Sequence, residues 1–145
     1  MMKKLILMIV VFSILFFLAN LQSAQSYPPQ INENMAIAGL RSISVAIISY
    51  TEAHNGKFPT DFLADLVYVK PPYLMREYGD EEKDGYKYSV ELYSDGYKIV
   101  ATPTVCGQTG NKIFVLEARG KELNKVFQGE NMPADLEIKE TSCKY

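Results

Sequence analysis

Few residues in this chain have the types and spacing that chemistry needs. His54 is the single histidine. An imidazole can move protons or bind a metal, but no Gly-x-Ser-x-Gly turn supplies a nucleophile for it. It stands beside Glu52 near an expected helix end, where a cationic imidazole suits the helix dipole, so a capping or surface role is expected. The acidic run Asp80, Glu81, Glu82 and Asp84 holds the oxygen ligands that a hard cation such as Ca²⁺ takes. Its spacing is not that of an EF-hand and Lys83 interrupts it, so a solvated acidic loop is the better reading. Gly107-Gln108-Thr109-Gly110-Asn111-Lys112 has no Gly-Lys-Ser/Thr ending of a phosphate loop and reads as a turn between strands. Tyr73, Tyr78, Tyr86, Tyr88, Tyr93 and Tyr97 could line a carbohydrate or peptide surface, yet tyrosines alternating along strands point first to sheet packing. No constellation calls for a cofactor or metal, and the chain does not read as an enzyme.

Cys106 and Cys143 are the only cysteines, and with one histidine they are too few for a structural zinc site. Their state depends on the compartment, which the N-terminus addresses. Lys3 and Lys4 precede an apolar run from Leu5 to Ala19, broken only by Ser13, and Ala24-Gln25-Ser26 offers small residues to a signal peptidase. The expectation is a signal peptide over residues 1–26, cleaved after Ser26. The alternative is an inner-membrane anchor over residues 5–21, with Asn20 at the interface. Either way residues 27–145 form one exported domain, periplasmic or secreted. In an oxidising compartment Cys106 and Cys143 pair, and the closed loop stabilises the fold by about 4 kcal/mol in the chain-entropy model. The other possibility is two free thiols. Loss of residues 1–26 removes two lysines and no acid, taking the formal charge from −2 to −4. An acidic head argues against nucleic acid or anionic lipid as a partner, leaving other proteins, and a membrane only through a retained N-terminal segment.

The elements that must position these residues follow from periodicity. Pro28 and Pro29 break the chain after Tyr27. Ile31 to Asn55 then reads as one long helix of roughly 35 Å, with Asn32 as N-cap and Glu33 in the first turn. Ala36, Leu40, Ile43, Ile47 and Tyr50 form its apolar stripe, widened by Ala38, Val45 and Ile48; Arg41, Ser42, Ser44, Ser49 and Glu52 lie off it. Gly39 suggests a close contact. Asn55-Gly56 supplies the C-cap and Pro59 forbids continuation. Thr60 is placed as the cap of a short second helix over residues 61–67, with a further turn over residues 73–78. From Tyr86 the period becomes two: a strand to Leu92, a hairpin at Ser94-Asp95-Gly96, and a return from Tyr97 to Thr102. Ile113 to Ala118 reads as a central strand, Leu123 to Phe127 as a shorter fourth, and Leu136 to Ile138 as a brief edge strand. The fold class is α+β, a long N-terminal helix on a three- to four-stranded antiparallel sheet.

Several of these runs carry a resemblance. Tyr50-Thr51-Glu52-Ala53-His54-Asn55-Gly56-Lys57-Phe58-Pro59-Thr60 resembles the end of the first helix in type IV pilin-like proteins, and the pseudopilins of type II secretion have a similar aromatic, Asn-Gly, basic, aromatic, Pro run. Lys83-Asp84-Gly85-Tyr86-Lys87-Tyr88 and Tyr97-Lys98-Ile99-Val100-Ala101-Thr102-Pro103 are similar to the two hairpin strands of exported pilin-like domains, and Gly107 to Phe114 to their next turn and strand. The similarity runs from Ile31 to Phe127. It singles out Tyr50, Asn55, Gly56, Phe58, Pro59, Gly85, Tyr86, Pro103 and Gly110. It implies a pilin-like head acting as a structural or interaction protein: a pseudopilin or filament-associated subunit of a type IV pilus or type II secretion-like system, with other pilin-like subunits as partners. The alternative is a free-standing periplasmic or secreted binding module that keeps only the fold. The sequence departs from the family where assembly is specified. Its first glycine is Gly39, not the end of a basic leader, and its first acid is Glu33, beyond the apolar segment.

Overall fold

A computed structural model describes residues 27–79 and 82–144 of the chain. The expected signal or anchor, residues 1–26, lies outside the described residues, as do Asp80 and Glu81 of the acidic run. Helix α1 spans Pro29–Ala53. It starts two residues earlier than the sequence suggests, because Pro29 occupies the first helical position, where its missing N–H costs nothing and its fixed φ is already helical. Pro28 precedes it in an extended conformation. Asn32 is therefore not the N-cap but a buried residue inside the helix. At the other end Asn55 and Gly56 take φ of 56° and 82°, the left-handed geometry that stops a helix. Gly56 N–H donates to Thr51 O at 2.9 Å.

The chain then continues beside α1 through a π-helical turn, Leu63–Val67, and a 3-10 turn, Arg76–Tyr78. Thr60 does not cap the first of these. Asp61 does, its carboxylate accepting the N–H groups of Leu63 and Ala64 at 3.0 and 2.9 Å. Asp65 reaches back to the N–H groups of Thr60 and Asp61 at 2.8 and 3.0 Å.

Four strands follow: β1 Tyr86–Tyr93, β2 Gly96–Pro103, β3 Lys112–Arg119 and β4 Ile138–Ser142. They lie in chain order as an antiparallel meander. Between β3 and β4 the segment expected as a strand over Leu123 to Phe127 is helix α2, Lys121–Phe127. Leu123 and Val126, three apart, are its buried residues, which is helical spacing. A 3-10 turn, Pro133–Asp135, leads into β4. The fourth strand thus begins at Ile138, where Leu136 to Ile138 marks only its approach.

Alternation along the strands divides the sheet into two faces. The registers set Val90 beside Ile99 and Leu116, and Leu92 beside Tyr97 and Ala118, on one face. Onto this face α1 lays Ala36, Leu40, Ile43 and Ile47, all fully buried. Each such Leu or Ile contributes about 2 kcal/mol relative to exposure. Ser44, expected off the stripe, is also fully buried; its hydroxyl meets Tyr97 OH at 2.6 Å, and each satisfies the other. Ala38 and Val45, expected to widen the stripe, face outward. Gly39 is the close approach: a Cβ there would fall 2.6 Å from Tyr88 Cζ.

Candidate interaction surface

The residues singled out by sequence do not form one site. The fold sends them to opposite ends of α1. At the helix N-terminus Gly85, Tyr86, Pro103 and Gly110 meet the disulfide. Tyr86 pairs with Pro103 across the ladder, is fully buried and donates its hydroxyl proton to Lys112 O at 2.9 Å. Burial pushes its phenol up to about 12, with the nearby Glu33 adding to the shift. Gly110 lies flat against that ring; a Cβ would fall 2.6 Å from Tyr86 Cζ. Gly85 takes φ 78° and Asp84 φ 53°, and Lys83 and Tyr86 exchange both backbone bonds around them. This is a two-residue type I′ turn, for which Asp-Gly is suited. It is a defined turn within what the sequence suggests is simply a charged loop.

Cys106 and Cys143 are bonded, their Cα atoms 5.9 Å apart. The bridge ties the residue after β4 to the turn that follows β2. Two helix residues complete this end in a role other than the capping role the sequence gives them. Asn32 Nδ2 donates to Thr109 O at 3.0 Å, and Glu33 Oε1 accepts Asn111 N–H at 2.8 Å. Their polarity at the start of a helix resembles a capping signal. Only the loop they face, rich in backbone groups with no ladder partner, identifies their other task. Beneath the disulfide is a shallow hollow of about 560 Å³ that includes Thr102, Val105, Cys106, Ile113 and Cys143 in its walls.

At the opposite end Tyr50, Asn55, Gly56, Phe58 and Pro59 gather around aromatic contacts. The Tyr50 and His54 rings stack with centroids 3.8 Å apart, and Tyr73 meets Tyr50 edge-on at 5.6 Å. His54 Nδ1 lies 2.7 Å from Tyr50 O, so the imidazole is held against its own helix. Burial and then the charge of Asp65 raise the Tyr50 phenol above its ordinary value. Phe58 meets Phe127 of α2 edge-on at 6.3 Å, and Pro59 is buried. Asp65 is held below the usual carboxylate range, first by the Asp61 N–H that it accepts.

Between the two ends runs a groove of about 390 Å³, bounded by α1 and residues 73–78. Arg41, Ser42, Val45, Tyr73, Leu74, Met75 and Tyr78 line it. Val45 and Met75 are 46% and 61% exposed there. Beside it Lys83 pairs with Glu77 at 2.6 Å and with Asp84 at 3.6 Å; the Glu77 bond raises its ammonium pKa. The tyrosines of the sequence reading divide accordingly. Tyr78, Tyr86 and Tyr97 are buried in the core, and Tyr73 borders the groove. Tyr93 lies on the far sheet face under the Arg119 guanidinium, 3.6 Å from its centroid. Among the described residues no group of three His, Cys, Asp or Glu side chains is arranged to hold a metal ion, and no helix is long and apolar enough to cross a membrane.

The surface can therefore offer apolar contact along the groove and a polar, partly apolar far sheet face. Compared with family models, curated proteins and solved structures, the chain matches none.

Proposed function

We propose that this chain is an exported, non-enzymatic structural or interaction protein with a pilin-like head, working as a pseudopilin or filament-associated subunit. One observation carries the reading. Among the described residues one long helix lies along a four-stranded antiparallel meander, and the individual residues singled out by the resemblance fall at its two ends, as turn and core residues. Partners on this reading are other pilin-like subunits, met through the groove beside α1 and the far sheet face. A second reading, the free-standing periplasmic or secreted module, is favoured by Pro28: with ψ at 142° it interrupts the helical path immediately before Pro29.

Mass spectrometry of the mature chain, with cross-linking in the native membrane fraction, separates the two. The filament reading expects residues 5–21 to be retained and cross-links to secretion or pilus subunits. A mature N-terminus at Tyr27 with no such cross-links removes it and leaves the free-standing module.

A further inference from the structure

β1 and β4 are the two edges of the sheet, and they offer different surfaces to another strand. The two-residue turn at Ser94-Asp95 closes on the Tyr93–Gly96 pair, and such a turn closes on residues that exchange both backbone bonds. Counting back, Glu91, Ser89 and Lys87 also direct their N–H and C=O groups at β2, while Leu92, Val90, Tyr88 and Tyr86 direct theirs outward. Tyr86 fixes this parity independently: its N–H and C=O both bond Lys83, at 3.0 and 2.9 Å, on the side away from β2. Among the described residues no backbone group bonds the outward N–H and C=O of Tyr88, Val90 and Leu92. An open edge of this kind is a template for a further strand.

The side chains favour one partner for that edge. Lys87 and Glu91 are both exposed and stand two residues either side of Ser89. Lys87 makes no ion pair among the described residues, while Glu91 already lies 3.6 Å from Lys98 Nζ and accepts the Tyr93 hydroxyl at 2.7 Å, so a second lysine would share its carboxylate. An antiparallel copy of β1 registered on Ser89 sets Lys87 opposite Glu91 of the other copy, and Glu91 opposite its Lys87. These positions exchange no backbone bonds, so their side chains approach most closely. Tyr88 and Val90 fall opposite one another and exchange the backbone bonds. Lys83 already occupies Tyr86, which ends the ladder there and confines it to residues 87–91. β4 behaves in the opposite way: the register that overlaps all five of its residues sets Glu140 against Glu140.

We propose that a second copy of this chain docks antiparallel on the β1 edge through Lys87–Glu91, joining the two sheets into one. This association is independent of whether the chain enters a filament. Its ion pairs are exposed, so it weakens as salt rises.

The test uses the full chain carrying Ser89→Cys. In the proposed register the two Ser89 Cα atoms stand about 4.5 Å apart, within disulfide reach. Mild oxidation is expected to give a disulfide-linked dimer on a non-reducing gel, whereas Glu117→Cys, exposed on interior strand β3, gives none. Adding Lys87→Glu or Glu91→Lys to Ser89→Cys places like charges opposite each other and is expected to lower the dimer yield by about tenfold. Mixing those two charge variants restores complementary pairs and the yield. No Ser89→Cys dimer at any concentration up to that of the Glu117→Cys control overturns the proposal. So does a dimer indifferent to both charge reversals, a loss that mixing does not restore, or capture of a different protein in place of the copy.

Discussion

The two ends of α1 are built from different chemistry. The N-terminal end is held by directed bonds: a disulfide, the Asn32 and Glu33 contacts to the 109–111 backbone, and a buried phenol donating to Lys112 O. The C-terminal end is held by ring contacts among Tyr50, His54 and Tyr73, by Phe58 on Phe127, and by aspartates that close turns at the surface. Directed bonds fix geometry but fail sharply when one member is removed. An aromatic pair adds only about 1 kcal/mol beyond the area it buries, so the loss of one costs less. The difference suggests a rigid end at the helix N-terminus and a compliant one at its C-terminus.

The largest expected break is at the rigid end. Replacing both Cys106 and Cys143 by Ser should destabilise the fold by about 4 kcal/mol, read from urea unfolding. Amide exchange should rise first at residues 105–111 and in β4, with residues 50–60 retaining their protection. Equal loss at both ends would remove the distinction. Gly110→Ala acts on the same end while leaving the Cys106–Cys143 bond in place. Its methyl meets the fully buried Tyr86 ring, so overpacking should cost about 2 to 3 kcal/mol. A stability unchanged from wild type would show that the ring can shift.

How much of this was legible in the sequence depends on the element. The long helix, the meander and the cysteine pair were readable because each rests on a strong signal: a sustained stripe, strict alternation, and two cysteines behind an N-terminal segment that reads as an export signal. Two Asp-Gly pairs show where such signals stop. Asp95-Gly96 reads as the hairpin, yet Ser94 and Asp95 form its two-residue turn and Gly96 is already paired in β2. Gly96 is needed for a different reason, since a Cβ there would collide with Ala118 O. Asp84-Gly85 is the pair with both residues at positive φ, hidden in a run of charges. Lys121–Phe127 misleads because seven residues are too few for a period to show, and Val126 and Phe127 carry strand propensity. The contacts of Asn32 and Glu33 are long-range, and local pattern could not separate them from capping.

Alkaline pH acts on both ends, most strongly through Tyr86 and less through the Tyr50 phenol that burial also raises, and acid pH acts on the compliant end. Tyr86 belongs to the rigid end, and burial raises its folded phenol to about 12 against an ordinary 10.0. Below pH 10 both states are protonated and its contribution is whole. Above it the unfolded phenol ionises first, so stability falls as pH climbs toward 12. The loss from this residue is about 2 kcal/mol. Tyr97, raised to about 12 by its own burial, adds a parallel loss from mid-sheet, so the Tyr86 share is the difference in alkaline unfolding between wild type and Tyr86→Phe. An identical alkaline slope in the two proteins would contradict the assignment.

The compliant end should fail on the acid side, by less. Asp65 is held below the usual carboxylate range by the N–H groups of Asp61 and Thr60 that it accepts. Its contribution is present above the unfolded carboxylate value and is lost as pH falls through the lower, folded one. The group is only partly buried, so the effect is screened, and Asp65→Ala should cost about 1 kcal/mol at neutral pH, the usual size of a lost cap. The location of that loss matters more than its size. Asp65 fixes the turn that leads away from Pro59, so exchange should quicken at residues 60–65 while the disulfide end stays protected. The variant should also lose the part of the acid-side destabilisation that wild type shows. If it instead loosens residues 105–111, the two ends are coupled through α1 and the helix transmits strain as one body.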